Sequence, residues 1–547
     1  MNEQARPGAH ASHVAADEAQ AELAVAQTAA QDPADVTDSV LRAAKGGGAR
    51  VRGGRHEGAK GLGQRAARGT FVTLLGQGGS LVVQMASVVI LARLLDPTAY
   101  GLVAMVLAVV GVAHIFRDFG LSSAAVQAPT LSWAQRNNLF WLNTGIGVVL
   151  TAIVCIGAPI VQAVYHADHL AAITRVLALT FLLNGAATQF RADLNRRMDF
   201  LRLAIADIFS AIVALGVATF MALRGAGYWA LVAQQLIQGG VMLILVIIFA
   251  GWIPRRWSRG TPVKSLITFG WQYVGAQLIN YVANNADSFV IGYCFGANAA
   301  GVYNRAFQLL ARPLAQLRSP SITVALPTLA KLQDEYRRFE QYLLTGQVVL
   351  CYPIAILMGV IAGASDPIVR VVLGEEWLSA EPILRFLAIA GVFQTLGFVC
   401  FWVYLAKGIT DELRRYTLIS AAIRVACVLG GLHWGVVGVA AGYGIGPALA
   451  WPLGTWWLSR RVGIPTGRIL IGGIRITIVG GLVTVVSWLA CLATTQIPAA
   501  LQLMIATGSS VAVCIAVAIA IPWYRSDGMQ IVGVVKKALP GGSRPRD

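Results

Sequence analysis

About fourteen stretches of this 547-residue chain are apolar over the length of a membrane-crossing helix, and no other feature restricts its fold as strongly. A helix rises about 1.5 Å per residue, so roughly 20 apolar residues cross ~30 Å of hydrocarbon. The chain is therefore predicted to be an all-α integral membrane protein. The expected transmembrane helices are 70–92, 101–122, 139–163, 170–190, 203–223, 228–250, 266–292, 299–320, 342–363, 382–405, 416–433, 436–457, 471–493 and 500–522.

The composition agrees with a surface that faces lipid. The chain is 56% hydrophobic and 13% charged, with a mean hydropathy of +0.65, whereas soluble proteins carry about 25% charged residues. The net charge is +17. Because the basic residues fall in short clusters between apolar runs, they indicate cytoplasmic membrane loops, and nucleic acid is not expected as a partner.

The connections between the predicted spans alternate between basic and nearly uncharged. If the N-terminus is inside, the outer connections carry Arg93, Arg224, Arg370 and almost nothing else. This is the positive-inside pattern, and it predicts an even number of helices with both termini in the cytoplasm. The basic residues of the inner connections are Arg117, Arg136, Arg191, Arg196, Arg197, Arg202, Arg255, Arg256, Arg259, Lys264, Lys331, Arg337, Arg338, Lys407, Arg414, Arg415, Arg460, Arg461 and Arg468.

The two ends of the chain differ from the region between them. Residues 1–65 contain few large apolar side chains, so they are expected to form a disordered cytoplasmic tail and not a signal peptide. Residues 524–547 are expected to form a basic cytoplasmic tail. The seven cysteines form no C-x-x-C pair, and His166 and His169 offer two ligands without a third, so no metal site is predicted.

A partial repeat relates positions that are 200 residues apart. Residues 95–101 (LDPTAYG) align with 295–301 (FGANAAG), and each segment joins an outgoing helix to a returning one. The first helix of each copy carries polar residues at i, i+3, i+7 and i+10, which share one helical face. These two polar stripes are Gln77, Ser80, Gln84 and Ser87, and Gln277, Asn280, Asn284 and Asp287.

The repeat predicts two halves of the same orientation around a central cavity. Because the copies lie six helices apart, they are parallel repeats, which is typical of transporters. We expect six-helix bundles over 66–262 and 263–460, followed by two further helices over 461–523. Polar side chains facing lipid are costly, so the stripes should line the cavity or form hydrogen bonds between packed helices.

Charged residues inside the predicted spans are further candidates for function. Arg305 and Arg312 share a face of the eighth helix, and Arg312 lies about 20 Å below its start. Such a pair needs an anionic partner, which is either Asp287 or a phosphate of a ligand. The other deep charges are Arg117, Arg318, Arg385 and Arg424, and Asp118 and Asp207 with Asp287 are the candidates for ion coupling.

Four segments resemble bacterial polysaccharide flippases, the Wzx-like branch of the multidrug/oligosaccharidyl-lipid/polysaccharide exporter superfamily. They are 90–104 (ILARLLDPTAYGLVA), 116–121 (FRDFGL), 285–292 (NADSFVIG) and 300–306 (AGVYNRA). The resemblance covers roughly 65–525. It implies transfer of undecaprenyl-diphosphate-linked oligosaccharides to the outer leaflet of the inner membrane by alternating access, in lipopolysaccharide or exopolysaccharide biosynthesis.

The resemblance also implies roles for individual residues. Arg117, Arg305, Arg312 and Arg424 become candidates for binding the diphosphate, and the two polar stripes become the route for the sugars. H⁺ or Na⁺ is the expected coupling ion, and no other cofactor is expected. The lipid-linked oligosaccharide and membrane lipids are the expected partners, with the polysaccharide polymerase and export machinery as further candidates.

Other functions remain open from the sequence alone. Within the same superfamily they are a peptidoglycan-precursor flippase and a multidrug antiporter, although a cavity lined by arginine suits a cationic drug poorly. From other classes they are a membrane glycan polymerase or glycosyltransferase and a scaffold of a glycan assembly complex. The chain has no G-x-x-x-x-G-K-[ST], H-E-x-x-H or G-x-S-x-G motif, and its longest outer connection is short, so a transporter is expected rather than an enzyme.

Overall fold

The computed structural model describes residues 75–118, 132–257 and 264–538, and over these residues the chain forms helices and no strand. The predicted tail 1–65 and the residues after 538 lie outside this part. The first half contains six long helices. They are α1 Leu75–Ala92, α2 Pro97–Asp118, α3 Trp133–Tyr165, α4 Leu170–Arg196, α5 Phe200–Leu223 and α6 Tyr228–Ala250.

The second half begins with a helical segment, Lys264–Lys331, that is interrupted at Gly296. The φ angle of Gly296 is 81°, in the left-handed region that favours glycine, so the chain reverses there. We therefore name two helices, α7 (264–295) and α8 (297–331). The elements that follow are α9 Tyr336–Gly363, α10 Ser365–Val372, a 3₁₀ helix Glu375–Ala380, α11 Glu381–Ala406, α12 Thr410–Gly431, α13 Gly435–Val462, α14 Thr466–Ala493, α15 Ala499–Ala520 and α16 Pro522–Ala538.

The predicted class of fold, an all-α protein that crosses a membrane many times, is confirmed. Ten segments of the described chain are long and apolar enough to cross a bilayer, and one of them, Asp411–Val462, contains both α12 and α13. The arginine-bearing α8 is not among the ten, so this criterion does not confirm the predicted count of fourteen. The part of the predicted C-terminal tail up to Ala538 is helical, as α16, and it packs against α15 and α9.

Several helices extend beyond the predicted spans. Helix α3 begins at Trp133 instead of 139, and α9 begins at Tyr336 instead of 342. The added turns contain polar and charged side chains such as Arg337 and Glu340. Hydrogen bonding along the backbone continues through these turns, whereas their low hydropathy hides them from a search for apolar runs.

The helices alternate in direction, so the connections lie at two ends of the bundle. We call one end the hairpin end, which carries 93–96, Gly296 and 364–380. The other is the arginine end, which carries 197–199, 332–335, 407–409 and 463–465. Helices α3, α4, α5 and α6 pack together in the first half, and α9, α11, α12 and α13 in the second, with α14 and α15 added against α9. Helix α2 lies along α7 and α8 and joins the halves.

A reciprocal backbone contact closes this joint at the hairpin end. A Cβ atom added at Gly101 would overlap the carbonyl oxygen of Ala297, and one added at Gly301 would overlap the carbonyl oxygen of Pro97. The two glycines are 200 residues apart in the sequence, and so are Pro97 and Ala297. Two related units that meet around an axis make such paired contacts, and the offset is the one that the sequence repeat predicts.

The glycines of this joint give a test of the fold. Gly301→Ala is expected to lower the melting temperature of the protein in detergent, because the added carbon collides with backbone that cannot rotate away; overpacking of this kind costs about 1–3 kcal/mol. Gly216→Ala, in α5, is the matched control, since nothing lies within 4 Å of the added carbon. Equal melting temperatures for the two variants would contradict the close approach.

Candidate functional site

A polar cavity of about 240 Å³ lies among α1, α2, α6 and α8, with Ala211 of α5 at its edge. Among the described lining residues, most of the hydrogen-bonding groups are side-chain amides, and the charged groups are two arginines. Polar groups in a membrane protein face protein or water because hydrocarbon cannot solvate them. The polar lining residues are Gln84, Ser87, Tyr100, Gln234, Gln235, Gln238, Asn304, Arg305, Gln308 and Arg312.

Arg305 and Arg312 reach this cavity from one face of α8, about two turns apart. The guanidinium of Arg305 lies 3.5 Å from the ring centroid of Tyr100 and donates a hydrogen bond of 3.1 Å to Gln308. The side chain of Arg305 is only 7% exposed, and its Nε has no hydrogen-bond partner in the described structure. Arg312 donates a hydrogen bond of 2.6 Å to Gln84.

The positive charge of the two arginines is not balanced by a carboxylate among the described residues. Neither guanidinium belongs to a salt bridge there; their polar contacts are amide oxygens and one aromatic ring. An amide oxygen and a ring offset a buried charge only partly. The site therefore favours an anion that can enter the cavity and accept hydrogen bonds from both guanidinium groups.

Asp287 lies elsewhere, although it was one of the two expected partners of this pair. Its carboxylate accepts a hydrogen bond from the hydroxyl of Tyr303 and is 3% exposed. Arg424 lies within electrostatic range of Asp287 and 5.9 Å from the ring centroid of Tyr443. Asp287 and Arg424 thus belong to a second polar cluster in the C-terminal half, outside the lining of the cavity.

The remaining predicted residues are placed as follows. Gln84 and Ser87 of the first stripe line the cavity, whereas Gln77 is exposed toward the arginine end of α1. Asp207 pairs with Arg191 at 2.8 Å, and this bridge is half-exposed. Arg318 bonds to the carbonyl oxygen of Leu314, and Arg385 pairs with Glu381. The side chains of Arg117, Asp118, Gln277, Asn280 and Asn284 lie outside the described part.

Three glutamines of α6 were missed by the sequence interpretation. Gln234, Gln235 and Gln238 line the cavity opposite α8, and Gln234 donates a hydrogen bond of 2.7 Å to Ser87. A signal was present, since three amides within five residues interrupt the apolar run of this helix. The argument that singled out the stripes of α1 and α7 applies equally to them.

Comparison with known proteins places the chain in a family. A family model described as polysaccharide biosynthesis protein matches residues 90–382, more than half of the chain. The teichuronic acid biosynthesis protein TuaB of Bacillus subtilis (strain 168) is 29% identical over 304 residues, which are 55% of this chain and 62% of TuaB. The lipopolysaccharide biosynthesis protein WzxC of Escherichia coli (strain K12) is 27% identical over 382 residues, 68% of this chain and 75% of WzxC.

A solved structure shows the same fold. The lipid II flippase MurJ in its inward closed conformation superposes with a TM-score of 0.61 and 13% identity, covering 81% of this chain and 97% of that one. The matched segment 90–382 contains α2 to α10 completely, and with them both arginines and the glutamines of α6 that line the cavity. The chain therefore belongs to the polysaccharide biosynthesis protein family, as the resemblance of its first hairpin and of 285–306 predicted.

Proposed function

We propose that this protein transfers undecaprenyl-diphosphate-linked oligosaccharides from the cytoplasmic to the outer leaflet of a bacterial inner membrane. The observation that carries the proposal is the pair Arg305 and Arg312, two guanidinium groups in an amide-lined cavity between membrane helices that have no carboxylate partner among the described residues. Guanidinium matches the geometry of phosphate oxygens and binds them with two parallel hydrogen bonds. A diphosphate headgroup supplies the charge that the cavity lacks.

The amides of the cavity suit the sugar part of such a substrate. A glutamine side chain both donates and accepts hydrogen bonds, as sugar hydroxyls do. Gln235 and Gln238 of α6 line the same cavity as the two arginines of α8, so the sugar next to the diphosphate would meet them. The cavity of about 240 Å³ is small beside a whole oligosaccharide, so the two halves, 66–262 and 263–460, must part for the headgroup to pass.

Transfer in this direction needs no ATP. The arginine end is basic, so the positive-inside rule favours placing it in the cytoplasm with the hairpin end outside. A headgroup with about two negative charges then leaves a negative interior, and at ~100 mV this is worth on the order of 4–5 kcal/mol. We propose that Asp287, buried beside Tyr303, couples a returning H⁺ or Na⁺ to the cycle.

A peptidoglycan precursor is a second candidate substrate. Its support is the fold shared with the lipid II flippase MurJ. Both substrates would present a diphosphate to the two arginines, so these residues serve either one. The glutamines of α6 would distinguish the two substrates, because these side chains would contact the sugars. Transfer assays with both lipids in parallel separate the two candidates.

The arginine pair gives the first test of this function. Arg312→Ala is expected to slow transfer of a fluorescent undecaprenyl-diphosphate oligosaccharide in proteoliposomes roughly tenfold or more, because a charge-assisted hydrogen bond is worth about 1.5–3 kcal/mol. Arg414→Ala is the control, since Arg414 is exposed and pairs only with the exposed Asp411 in the described structure.

Two results would count against the proposal. Normal transfer by Arg312→Ala would reject the phosphate site. Failure of the unaltered protein to move any lipid-linked glycan, under any gradient, would favour a membrane polymerase or a scaffold instead.

The glutamines of α6 give a second test. The double variant Gln235→Leu, Gln238→Leu is expected to slow transfer of the glycan-bearing lipid while leaving transfer of undecaprenyl diphosphate unchanged, because only the sugar loses hydrogen bonds. Gln316→Leu, an exposed residue of α8 outside the cavity lining, serves as control. If transfer of both lipids slowed equally, these amides would not be recognising the sugar.

Ion coupling is tested with two carboxylates. Asp287→Asn is expected to remove the dependence of transfer on an imposed H⁺ or Na⁺ gradient, while the dependence on membrane potential persists. Asp207→Asn is the control, because Asp207 already pairs with Arg191. A gradient dependence that survives in Asp287→Asn, or disappears in Asp207→Asn, would assign the coupling to another group.

A further inference from the structure

The connection between α9 and α11 packs against the N-terminal half at the hairpin end. Trp377, in the 3₁₀ helix of this connection, is fully buried, and its indole N–H donates a hydrogen bond of 2.8 Å to the carbonyl oxygen of Ala92. Ala92 ends α1, where the last carbonyl groups of a helix lack intrahelical donors. Arg93 in turn donates a hydrogen bond to the carbonyl oxygen of Val371. These two bonds join the C-terminal half to the N-terminal half.

Trp377 also contacts a residue that lines the cavity. Its ring lies edge-on to the ring of Tyr100, with centroids 5.3 Å apart and an interplanar angle of 69°. The same Tyr100 ring holds the guanidinium of Arg305 at 3.5 Å. The hydroxyl of Tyr100 is buried without a hydrogen-bond partner in the described structure. Tyr100 therefore acts through its ring, between the closure of the hairpin end on one side and the anion site on the other.

An anion in the cavity would compete with this ring for Arg305. The attraction between a cation and an aromatic face is modest even when water is excluded, and charge-assisted hydrogen bonds to phosphate are stronger. The N–H groups of a stacked guanidinium lie at its edge, so an anion that also binds Arg312 would pull Arg305 sideways, away from its position over the ring of Tyr100. Tyr100 would then lose one of the two contacts that hold its ring against Trp377.

We propose that Trp377, Tyr100 and Arg305 form a relay that couples occupation of the anion site to release of the hairpin end. The relay rests on the proposed function, because it needs an anionic substrate at Arg305. Trp377 is a positioning residue in it, since it contacts Tyr100 and not the substrate. Coupling between two sites is reciprocal, so weakening the closure must strengthen anion binding, whereas ordinary damage to the fold would weaken it.

The test measures binding and distance in the full-length protein in detergent. Inorganic pyrophosphate is the probe, and its affinity is measured by calorimetry. Spin labels on Thr98→Cys and Glu376→Cys, two exposed positions on opposite halves at the hairpin end, report separation in a cysteine-free background. For the protein without relay substitutions, we expect one short distance that lengthens when pyrophosphate is added.

Trp377→Ala is expected to show the longer distance without ligand and to bind pyrophosphate roughly fivefold more tightly or better, the lower range of allosteric coupling. Tyr100→Leu should likewise show the longer distance and bind pyrophosphate more tightly. Tyr100→Phe should keep the short distance, because the aromatic ring remains. Trp402→Ala removes another buried tryptophan, in α11, and should leave the distance short.

The outcomes separate the relay from the function. If the protein without relay substitutions does not bind pyrophosphate, the arginine site and the relay both fail. If it binds, but Trp377→Ala keeps the short distance or binds more weakly, the relay alone is overturned. Tyr100→Leu gives an independent reading of the relay if Trp377→Ala does not fold.

Discussion

Hydrocarbon cannot solvate polar groups, so the polar side chains that this chain places within a bilayer must face protein or water, and the arrangement of the helices follows from that requirement. The outside of the bundle is apolar, with Ile156, Ile160 and Ile519 exposed by 79%, 67% and 72%. Such exposure would cause aggregation in water and is ordinary in lipid. The amides and arginines are turned inward, where α1, α2, α6 and α8 enclose them. The fold thus creates the cavity by excluding polar side chains from its surface.

The two halves share a plan but have diverged in chemistry. Ser87 of α1 and Asp287 of α7 occupy equivalent positions, 200 residues apart. Ser87 accepts a hydrogen bond from Gln234 and lines the cavity, whereas Asp287 accepts one from Tyr303 and is buried in a separate cluster. Equivalent positions of the repeat thus carry a neutral hydroxyl in the cavity and a buried carboxylate in a separate cluster.

Features encoded locally could be predicted from the sequence, and features that depend on which helices become neighbours could not. The fold class, the repeat and the shared face of Arg305 and Arg312 follow from spacing along single helices. The pairing of Asp287 with Tyr303 was not foreseen, because the offset of sixteen residues crosses the reversal at Gly296. Trp377 was overlooked for a related reason. It lies in the outer connection whose shortness served only as an argument against an enzyme, and its partner Ala92 is 285 residues away.

The reciprocal contact at the hairpin end has a consequence for how the molecule can move. Gly101 meets Ala297 and Gly301 meets Pro97 through backbone atoms, which have no rotamers to absorb a partial displacement. The two contacts are related by an axis, so a rotation that opens one opens the other. Separating the halves at this end would therefore require both backbone contacts to part together. If the proposed headgroup leaves between the halves, every passage requires this joint to open and then to close again as one unit.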